Sequence, residues 1–255
     1  MNTFSLWGLV VVGGVACALV GAYGFRLTIA QRRPTGWTYI RSAAFAVAAV
    51  AVGVAIGRLS LWGDVRRLDE SIHESIFLVQ HDLAVRTMLA VTGIGAITAT
   101  GFLTVLLGAV AGYHYRSLRL LLVPLVAYVL ALQGQRFVDR LDARSRPPVD
   151  LSVGPPGGYP SGGTVRIVLV VGLLMVVFAQ IWRREHETLL LGAAWGSIAW
   201  VEIVSRSILG RHWPIDLLGG VAIGVLLLAA AGPLMWLPGS TADRRVAEPD
   251  AQGAA

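Results

Sequence analysis

A series of seven long apolar runs constrains this chain more than any other feature of its sequence. The runs lie near Ser5–Phe25, Ser42–Trp62, Ala90–Gly112, Ser117–Gln135, Thr164–Trp182, Glu187–Ser205 and Ile215–Trp236. Each is close to the length of about 20 residues that an α-helix needs to cross a bilayer. Because lipid offers no hydrogen bonds to the backbone, such runs predict an all-α, polytopic transmembrane helical bundle. The charged fraction of 14% agrees, since soluble domains carry about 25%.

The arginines that follow the first run predict how the bundle is oriented. Arg26, Arg32, Arg33 and Arg41 stand there with no acidic residue among them. By the positive-inside rule we place this side in the cytoplasm, with the N-terminus outside the plasma membrane and the C-terminus inside. The opposite loops carry about as many arginines, several of them within the motifs described below. No basic residue precedes the first run, which favours a membrane anchor over a cleaved signal peptide.

The segments between and beyond the runs suggest a division of the chain. Residues 64–88 carry apolar side chains at spacings of three and four, which predicts an amphipathic helix on the outer membrane surface or packed on the bundle. These side chains are Val65, Leu68, Ile72, Ile76, Val79 and Leu83. We expect residues 1–41 to form an extra transmembrane helix and a cytoplasmic loop, 42–237 a membrane domain, and 238–255 a disordered cytoplasmic tail.

The basic charge of the chain comes entirely from arginine. All 21 basic residues are arginines, and the formal net charge is +6. They separate apolar runs instead of forming a surface patch, so we expect membrane lipids and no nucleic acid as partners. Arginine suits bidentate capture of phosphate better than lysine does. The lone Cys17 can form no internal disulfide, and the histidines and carboxylates lack metal-ligand spacing, so no metal is expected.

Three polar clusters lie at the predicted outer ends of the runs, at residues 139–147, 159–164 and 205–216. In the third cluster, His212 and Asp216 are four residues apart and share a face if the segment is helical. A carboxylate beside one imidazole nitrogen fixes the tautomer and leaves the other nitrogen able to attack. The alternative is that both residues are interfacial polar groups that cap a helix.

The other clusters supply groups that could bind an anion. Ser161, Gly162 and Gly163 precede an apolar helix, so their backbone N–H groups could point at a phosphate, although the same residues also form ordinary turns. Arg206 offers a fork for two phosphate oxygens. The first cluster adds three arginines to the same predicted face: Arg140, Arg144 and Arg146.

Together the clusters resemble the motifs of the type 2 phosphatidic acid phosphatase superfamily. That pattern is Lys-x6-Arg-Pro, then Pro-Ser-Gly-His, then Ser-Arg-x5-His-x3-Asp. The matching residues are Arg146 and Pro147 for the first motif, Pro160, Ser161 and Gly162 for the second, and Ser205, Arg206, His212 and Asp216 for the third. The resemblance covers about residues 42–236. It implies the family's six-helix core, one extra N-terminal transmembrane helix, and a site facing away from the cytoplasm.

The resemblance also implies a role for each matched residue. His212 would be a nucleophile that forms a phosphohistidine, and Asp216 would orient it. The phosphoryl oxygens would be held by Arg146, Arg206, Ser161 and the backbone of Gly162, with Arg144 as a further candidate. The implied protein is a membrane lipid phosphatase that acts on a lipid phosphate or an isoprenoid diphosphate and needs no cofactor.

Two positions depart from the family pattern. Asp139 stands where the first motif has lysine, and we expect its neighbour Arg140 to take over the phosphate contact. Gly163 stands where the second motif has its histidine, the general acid, which typically contributes about 10²–10⁴-fold to the rate. A phosphate leaving from a diphosphate is already a stable anion, whereas an alcohol needs protonation. We therefore expect an isoprenoid diphosphate to be a better substrate than phosphatidic acid.

Other residues could replace the missing acid. His73 and His81 lie on the predicted outer helix, although solvated polar-face histidines are the simpler interpretation. Glu202 lies within the sixth run, four residues before Arg206. A carboxylate inside a membrane is costly and usually paired. For this residue an ion pair with Arg206 or with a first-cluster arginine is favoured over proton transfer.

The departures also leave two other functions open. A catalytically impaired protein of the same fold that binds a lipid phosphate is favoured by Asp139 and Gly163. The intact set of Arg206, His212 and Asp216 opposes it, because pure binding needs no oriented nucleophile. A phosphotransferase, which passes the phosphoryl group to an acceptor other than water, is the third alternative.

Overall fold

The computed structural model describes residues 3–25, 33–77, 82–142, 144–148, 158–182 and 185–237, and every regular element within them is helical. The α-helices are α1 (Thr3–Phe25), α2 (Gly36–Leu59), α3 (Gly63–Phe77), α4 (Asp82–Thr92), α5 (Ile97–His114), α6 (Leu118–Asp142), α7 (Gly162–Trp182), α8 (Glu185–Ile208) and α9 (Pro214–Ala231). Short 3₁₀ helices precede α5 at Gly93–Gly95 and follow α9 at Gly232–Met235. The predicted all-helical fold is confirmed.

Six helices of the described chain are long and apolar enough to cross a membrane, namely α2 and α5 to α9. The first predicted run corresponds to α1, which has 23 residues and a described apolar stretch at Val11–Ala22. Large apolar side chains such as Val47, Phe102 and Val110 remain exposed on the outside of the bundle. An apolar exterior is what a bundle in lipid requires, because hydrocarbon and not water surrounds it.

Helix α7 is the centre of the bundle, packed against α5, α6, α8 and α9. Its residues are apolar almost all round and largely buried, which is typical of a core helix. Glycines let the helices approach closely: a Cβ at Gly224 of α9 would press against Val168 of α7. Helix α1 lies at the periphery against α8, where a Cβ at Gly21 would overlap the backbone of Gly192.

The predicted amphipathic segment 64–88 contains two described helices, α3 up to residue 77 and α4 from residue 82, and residues 78–81 between them lie outside the described residues. Two other predicted boundaries are corrected by the structure. The third run does not begin its helix at residue 90, because Gly93 and Gly95 form a 3₁₀ turn and α5 starts at residue 97. Glycine weakens a helix by about 1 kcal/mol relative to alanine, so a break there has a local cause.

The second correction concerns α6 and changes the setting of the first polar cluster. The apolar run ends near residue 135, but the helix continues to residue 142. Asp139 and Arg140 therefore lie on the last turns of α6 and not in a loop beyond it. A helix can continue past its apolar stretch into polar surroundings, and apolar content alone does not mark that end.

Helix α3 packs on α8 and α9 through polar side chains. Asp69 and His73 are buried, whereas Leu68 is 61% exposed and Ile72 36% exposed. The predicted periodicity is present, but the apolar stripe points away from the bundle and the polar residues point into it. The interpretation of His73 as a solvated residue is therefore wrong, because its ring packs on Trp213 with the ring centroids 5.3 Å apart.

Candidate active site

The three polar clusters meet at one end of the bundle, where α6 and α8 end and α7 and α9 begin. We call this the site end. Two hydrogen bonds join the clusters: Ser161 N donates to Asp216 O at 3.0 Å, and Arg146 Nη1 donates to Arg211 O at 3.1 Å. His212 Nδ1 also lies 2.7 Å from the carbonyl oxygen of Gly158, the residue just before the second cluster. Residues far apart in the sequence thus share one small volume.

His212 is held by a backbone carbonyl. It follows α8 in a short connection to α9 and is only 5% exposed. A carbonyl oxygen can only accept a hydrogen bond, so the 2.7 Å contact with Gly158 O assigns the proton to Nδ1 and the lone pair to Nε2. Asp216 Oδ2 stands farther from Nδ1, at 3.8 Å. The partner that fixes the tautomer is therefore the carbonyl of Gly158, and Asp216 lies beyond hydrogen-bond distance of Nδ1.

The surroundings of His212 favour a neutral imidazole. Burial lowers its pKa well below the ordinary 6.5, and the positive charges of Arg206 and Arg146 lower it further. The hydrogen bond to Gly158 raises the pKa but does not outweigh these effects. A neutral imidazole with a lone pair on Nε2 is the form that can attack an electrophile.

Arg144 lies between two carboxylates. Its Nη2 donates to Asp69 Oδ2 at 2.7 Å, and its Nη1 donates to Asp216 Oδ1 at 3.2 Å. All three side chains are at least nine-tenths buried. The guanidinium also lies over the ring of Trp213, 5.4 Å from its centroid. We call Asp69, Arg144 and Asp216 the Asp69 cluster; it holds one positive and two negative charges.

The Asp69 cluster also caps the first turn of α9. Ile215 N donates to Asp69 Oδ1 at 3.1 Å, and Trp213 N donates to Asp216 Oδ2 at 2.9 Å. Two N–H groups that a helix start leaves unpaired are thus satisfied by carboxylates. The alternative interpretation of Asp216 as a helix cap is therefore also realised. The guanidinium of Arg144, a candidate phosphate contact, donates to these two carboxylates instead.

A second buried group lies at the start of α7. Arg206 Nε donates to Glu202 Oε1 at 2.5 Å, so the predicted ion pair between these residues is present. Arg166 Nη2 donates to Gly95 O at 2.9 Å, and its Nη1 donates to Gln135 Oε1 at 3.4 Å. We call Arg166, Glu202 and Arg206 the Arg206 cluster; it holds two positive charges and one negative charge.

The glycines of the second motif are required by close neighbours. A Cβ at Gly163 would overlap the guanidinium of Arg206, and a Cβ at Gly162 would overlap the carboxamide of Gln135. Arg206 therefore lies directly against the start of α7, where unpaired N–H groups and the positive end of the helix dipole favour an anion. Ser161, which precedes the helix, is fully buried and its Oγ accepts a hydrogen bond from Thr164 Oγ1 at 2.9 Å.

The remaining candidates have different outcomes. Asp139 and Arg146 interact electrostatically, so the acidic residue in the place of the motif lysine has an arginine nearby. Arg140 is exposed at the end of α6. His81 lies outside the described residues. Within the described parts of the chain, no group of three or more histidine, cysteine or acidic side chains could hold a metal ion.

Three functional-site residues were missed by the sequence analysis. Gly158 acts through its carbonyl, which leaves no mark on residue identity. Asp69 stood unremarked among the charged residues of α3, although Asp69 and His73 are four residues apart and share a helix face. Arg166 had a clear signal, because an arginine inside an apolar run is costly and points to a function or a buried partner.

The comparisons with known proteins agree with this fold. The family model of the PAP2 superfamily matches residues 129–237. No curated protein matches the chain. The crystal structure of a transmembrane PAP2 type phosphatidylglycerolphosphate phosphatase from Bacillus subtilis superposes with a TM-score of 0.63 at 23% sequence identity, covering 72% of this chain and 92% of that one. The fold is thus that of a transmembrane PAP2 phosphatase, and the chain is an integral membrane protein.

Proposed function

Because the PAP2 superfamily model matches residues 129–237 and the fold is that of a transmembrane PAP2 phosphatase, we propose that this chain hydrolyses a lipid phosphate or isoprenoid diphosphate through a phosphohistidine on His212. The family match and the fold support a membrane lipid phosphatase at family level; the substrate and the intermediate are further steps of the proposal. The observation that carries the proposal is the buried His212, with Nδ1 bonded to Gly158 and with Arg206 and Arg146 acting on it electrostatically. A group that only binds an anion needs no such oriented lone pair.

The reaction follows from this arrangement. Nε2 of His212 attacks phosphorus, the new N–P bond forms as the P–O bond to the leaving group breaks, and the leaving oxygen takes the electron pair. Arg206, Arg146 and the first N–H groups of α7 stabilise the charge on the phosphoryl oxygens. Water then attacks the phosphohistidine, which releases inorganic phosphate and restores the imidazole.

We propose an isoprenoid diphosphate as the preferred substrate. Gly163 carries no proton donor, and the space beside it is filled by Arg206. A phosphate leaving group requires no proton, whereas the alcohol released from phosphatidic acid does. The lack of a general acid therefore handicaps a monoester far more than a diphosphate.

An activity panel with a nucleophile variant tests the proposal. Purified protein in detergent is expected to release phosphate from a polyprenyl diphosphate faster than from phosphatidic acid, and His212→Ala is expected to release none above background. The stability of the phosphate label on the protein identifies the intermediate, because phosphohistidine survives alkali and is lost in acid. Faster release from phosphatidic acid contradicts the substrate, and label retained in His212→Ala contradicts the nucleophile.

Two other functions would give different results in the same panel. A lipid-phosphate-binding protein, favoured by Gly163 and Asp139, would bind substrate without release and without label on His212. A phosphotransferase would become labelled but would pass the phosphoryl group to an added alcohol in preference to water. Product analysis with and without an alcohol acceptor separates these outcomes.

We also propose that the site end faces away from the cytoplasm, on the evidence of the arginines that follow α1. Leu61 lies near the site end and Tyr113 at the opposite end of the bundle, and both side chains are more than half exposed. In a Cys17→Ser background, a membrane-impermeant maleimide added to intact cells is expected to label Leu61→Cys and not Tyr113→Cys. The reverse pattern contradicts the orientation.

A further inference from the structure

The guanidinium of Arg206 fills the space beside Gly163, and Glu202 holds this guanidinium from one side. A Cβ at Gly163 would lie 2.5 Å from Arg206 Nε, and that same nitrogen lies 2.5 Å from Glu202 Oε1. On the opposite side, a Cβ at Gly95 would overlap the carboxylate of Glu202 and lie 3.1 Å from Arg206 Nη2. The ion pair thus fills a slot between two glycine backbones that admits no methyl group on either side.

We propose that Glu202 is a positioning residue that holds the Arg206 guanidinium against the start of α7, in the volume a histidine at position 163 would occupy. The proposal rests on the proposed function, because Arg206 is there taken to bind the transferred phosphoryl group. The departure at Gly163 and the acidic residue inside α8 then have one explanation. An arginine held by a carboxylate occupies the space of a histidine side chain.

Glu202 has the burial that such a role requires. It is 2% exposed, and its second oxygen, Oε2, is buried without a hydrogen-bond partner in the described residues. A carboxylate in such surroundings is costly unless opposite charges lie close, and the guanidinium groups of Arg206 and Arg166 supply them. A free arginine side chain has about 2 kcal/mol of rotamer entropy. Fixing Arg206 in advance removes that cost from substrate binding.

The geometry separates positioning from proton donation. Glu202 Oε1 accepts a hydrogen bond from the guanidinium of Arg206, so this oxygen is engaged in holding that side chain. A positioning residue affects every substrate equally, because each presents the same phosphoryl oxygens to Arg206. A proton donor affects chiefly substrates whose leaving group needs a proton.

Glu202→Gln therefore distinguishes the two roles when an alkyl phosphate and an aryl phosphate are compared. The variant keeps the shape of the side chain but removes the charge that holds Arg206. We expect kcat/KM to fall roughly 10- to 100-fold on both substrates, the usual effect of losing a charged hydrogen-bond partner. A loss confined to the alkyl phosphate overturns the proposal in favour of proton donation, and no loss on either substrate overturns it outright.

Two glycine substitutions on one helix provide a matched control. Gly163→Ala introduces a methyl group that displaces Arg206, whereas at Gly172, also on α7, a methyl group meets the end of the buried Leu228 side chain, far from the site. We expect Gly163→Ala to lower kcat/KM about as much as Glu202→Gln does, and Gly172→Ala to leave it within about twofold. Gly163→His is also expected to lower activity. A rise on restoring the histidine overturns the proposal.

Binding of orthovanadate or inorganic phosphate to the purified protein tests the proposal without turnover. Calorimetry on wild type, Glu202→Gln and Glu202→Asp is expected to show at least about tenfold weaker binding for both variants. Glu202→Asp keeps the buried charge and so provides a second folded variant. A wild type that binds the anion but hydrolyses nothing refutes the proposed function alone. Unchanged affinity in the variants, or no binding by wild type, refutes the positioning role.

Discussion

Two buried groups of charges flank His212, and they are opposite in sign. The Asp69 cluster surrounds one arginine with two carboxylates, and the Arg206 cluster combines two arginines with one carboxylate. Arg144 and Arg206 come from motif-like segments and are equally buried, yet Arg144 has no charge left to offer an anion. From this difference we expect the carboxylates around an arginine, and not its place in a motif, to decide which of the two can bind phosphate.

The two clusters also join different parts of the molecule. The Asp69 cluster links α3, the segment after α6 and the start of α9, and it satisfies the backbone of α9. The Arg206 cluster links α7 and α8 to the turn at Gly95. We therefore expect changes in the first cluster to reduce stability and changes in the second to reduce turnover. Four measurements can break or sharpen this comparison.

Arg144→Met is expected to have the largest effect. It leaves Asp69 and Asp216 buried without their guanidinium, and removing one partner of a buried ion pair typically costs about 3–5 kcal/mol. Thermal unfolding in detergent measures the loss. Arg66→Met on α3 is the control, because Arg66 and Glu70 form an exposed ion pair and such pairs contribute little to stability. Equal loss in both variants would contradict a special role for the Asp69 cluster.

Arg206→Lys is expected to reduce turnover more than stability. Lysine keeps the charge but loses the planar fork that holds Glu202 and that the proposed function also assigns to a phosphoryl oxygen. We expect kcat/KM to fall about 100-fold, in line with the loss of a transition-state hydrogen-bond donor. The unfolding temperature should change far less than in Arg144→Met. A variant that loses stability but retains activity would show that Arg206 belongs to the scaffold.

The sequence predicted the fold and the motif residues better than it predicted their roles. Apolar runs mark membrane helices strongly, and the spacing of Arg206, His212 and Asp216 marks the site. Which of two arginines meets a carboxylate depends on α3, whose inward face carries Asp69 and His73 while its apolar stripe faces outward. The pattern of apolar residues gives the period of such a helix but not the face that packs on protein. The partner of His212 is the backbone carbonyl of Gly158. Every residue type has such a carbonyl, so no residue pattern marks this contact.

Asp69→Asn is expected to have an intermediate effect. The amide oxygen still accepts a hydrogen bond from Ile215 N, but the charge that pairs with Arg144 is lost. We expect a loss of about 1–3 kcal/mol in the free energy of unfolding, which is the usual cost of losing a charged hydrogen bond. Turnover should fall less than in Arg206→Lys, because Asp216 still pairs with Arg144. A larger loss of turnover than of stability would place Asp69 with the catalytic groups.

The pH dependence of stability is expected to show the smallest effect. The folded His212 has a pKa well below 6.5 because it is buried and near Arg206 and Arg146. As pH falls through 6.5, the unfolded chain binds a proton that the folded chain does not, so the stability contribution of His212 is lost on the acid side. Between pH 8 and 7 both states are neutral at this position, so the contribution of His212 to stability should hardly change.

Thermal unfolding of wild type and His212→Gln measures this directly, and it avoids the ionisation of the substrate phosphate that complicates rate profiles. The difference between the two proteins should be flat above pH 7 and should shift against wild type below about pH 6.5. Arg146→Gln removes one of the charges that depress the pKa of His212. Its acid loss should still begin near pH 6.5, which the unfolded chain sets, but the loss should be smaller and should end at a higher pH. A larger acid loss in Arg146→Gln, or a wild type that gains stability relative to His212→Gln on acidification through 6.5, would show that negative charge dominates around the imidazole and would place His212 with the Asp69 cluster.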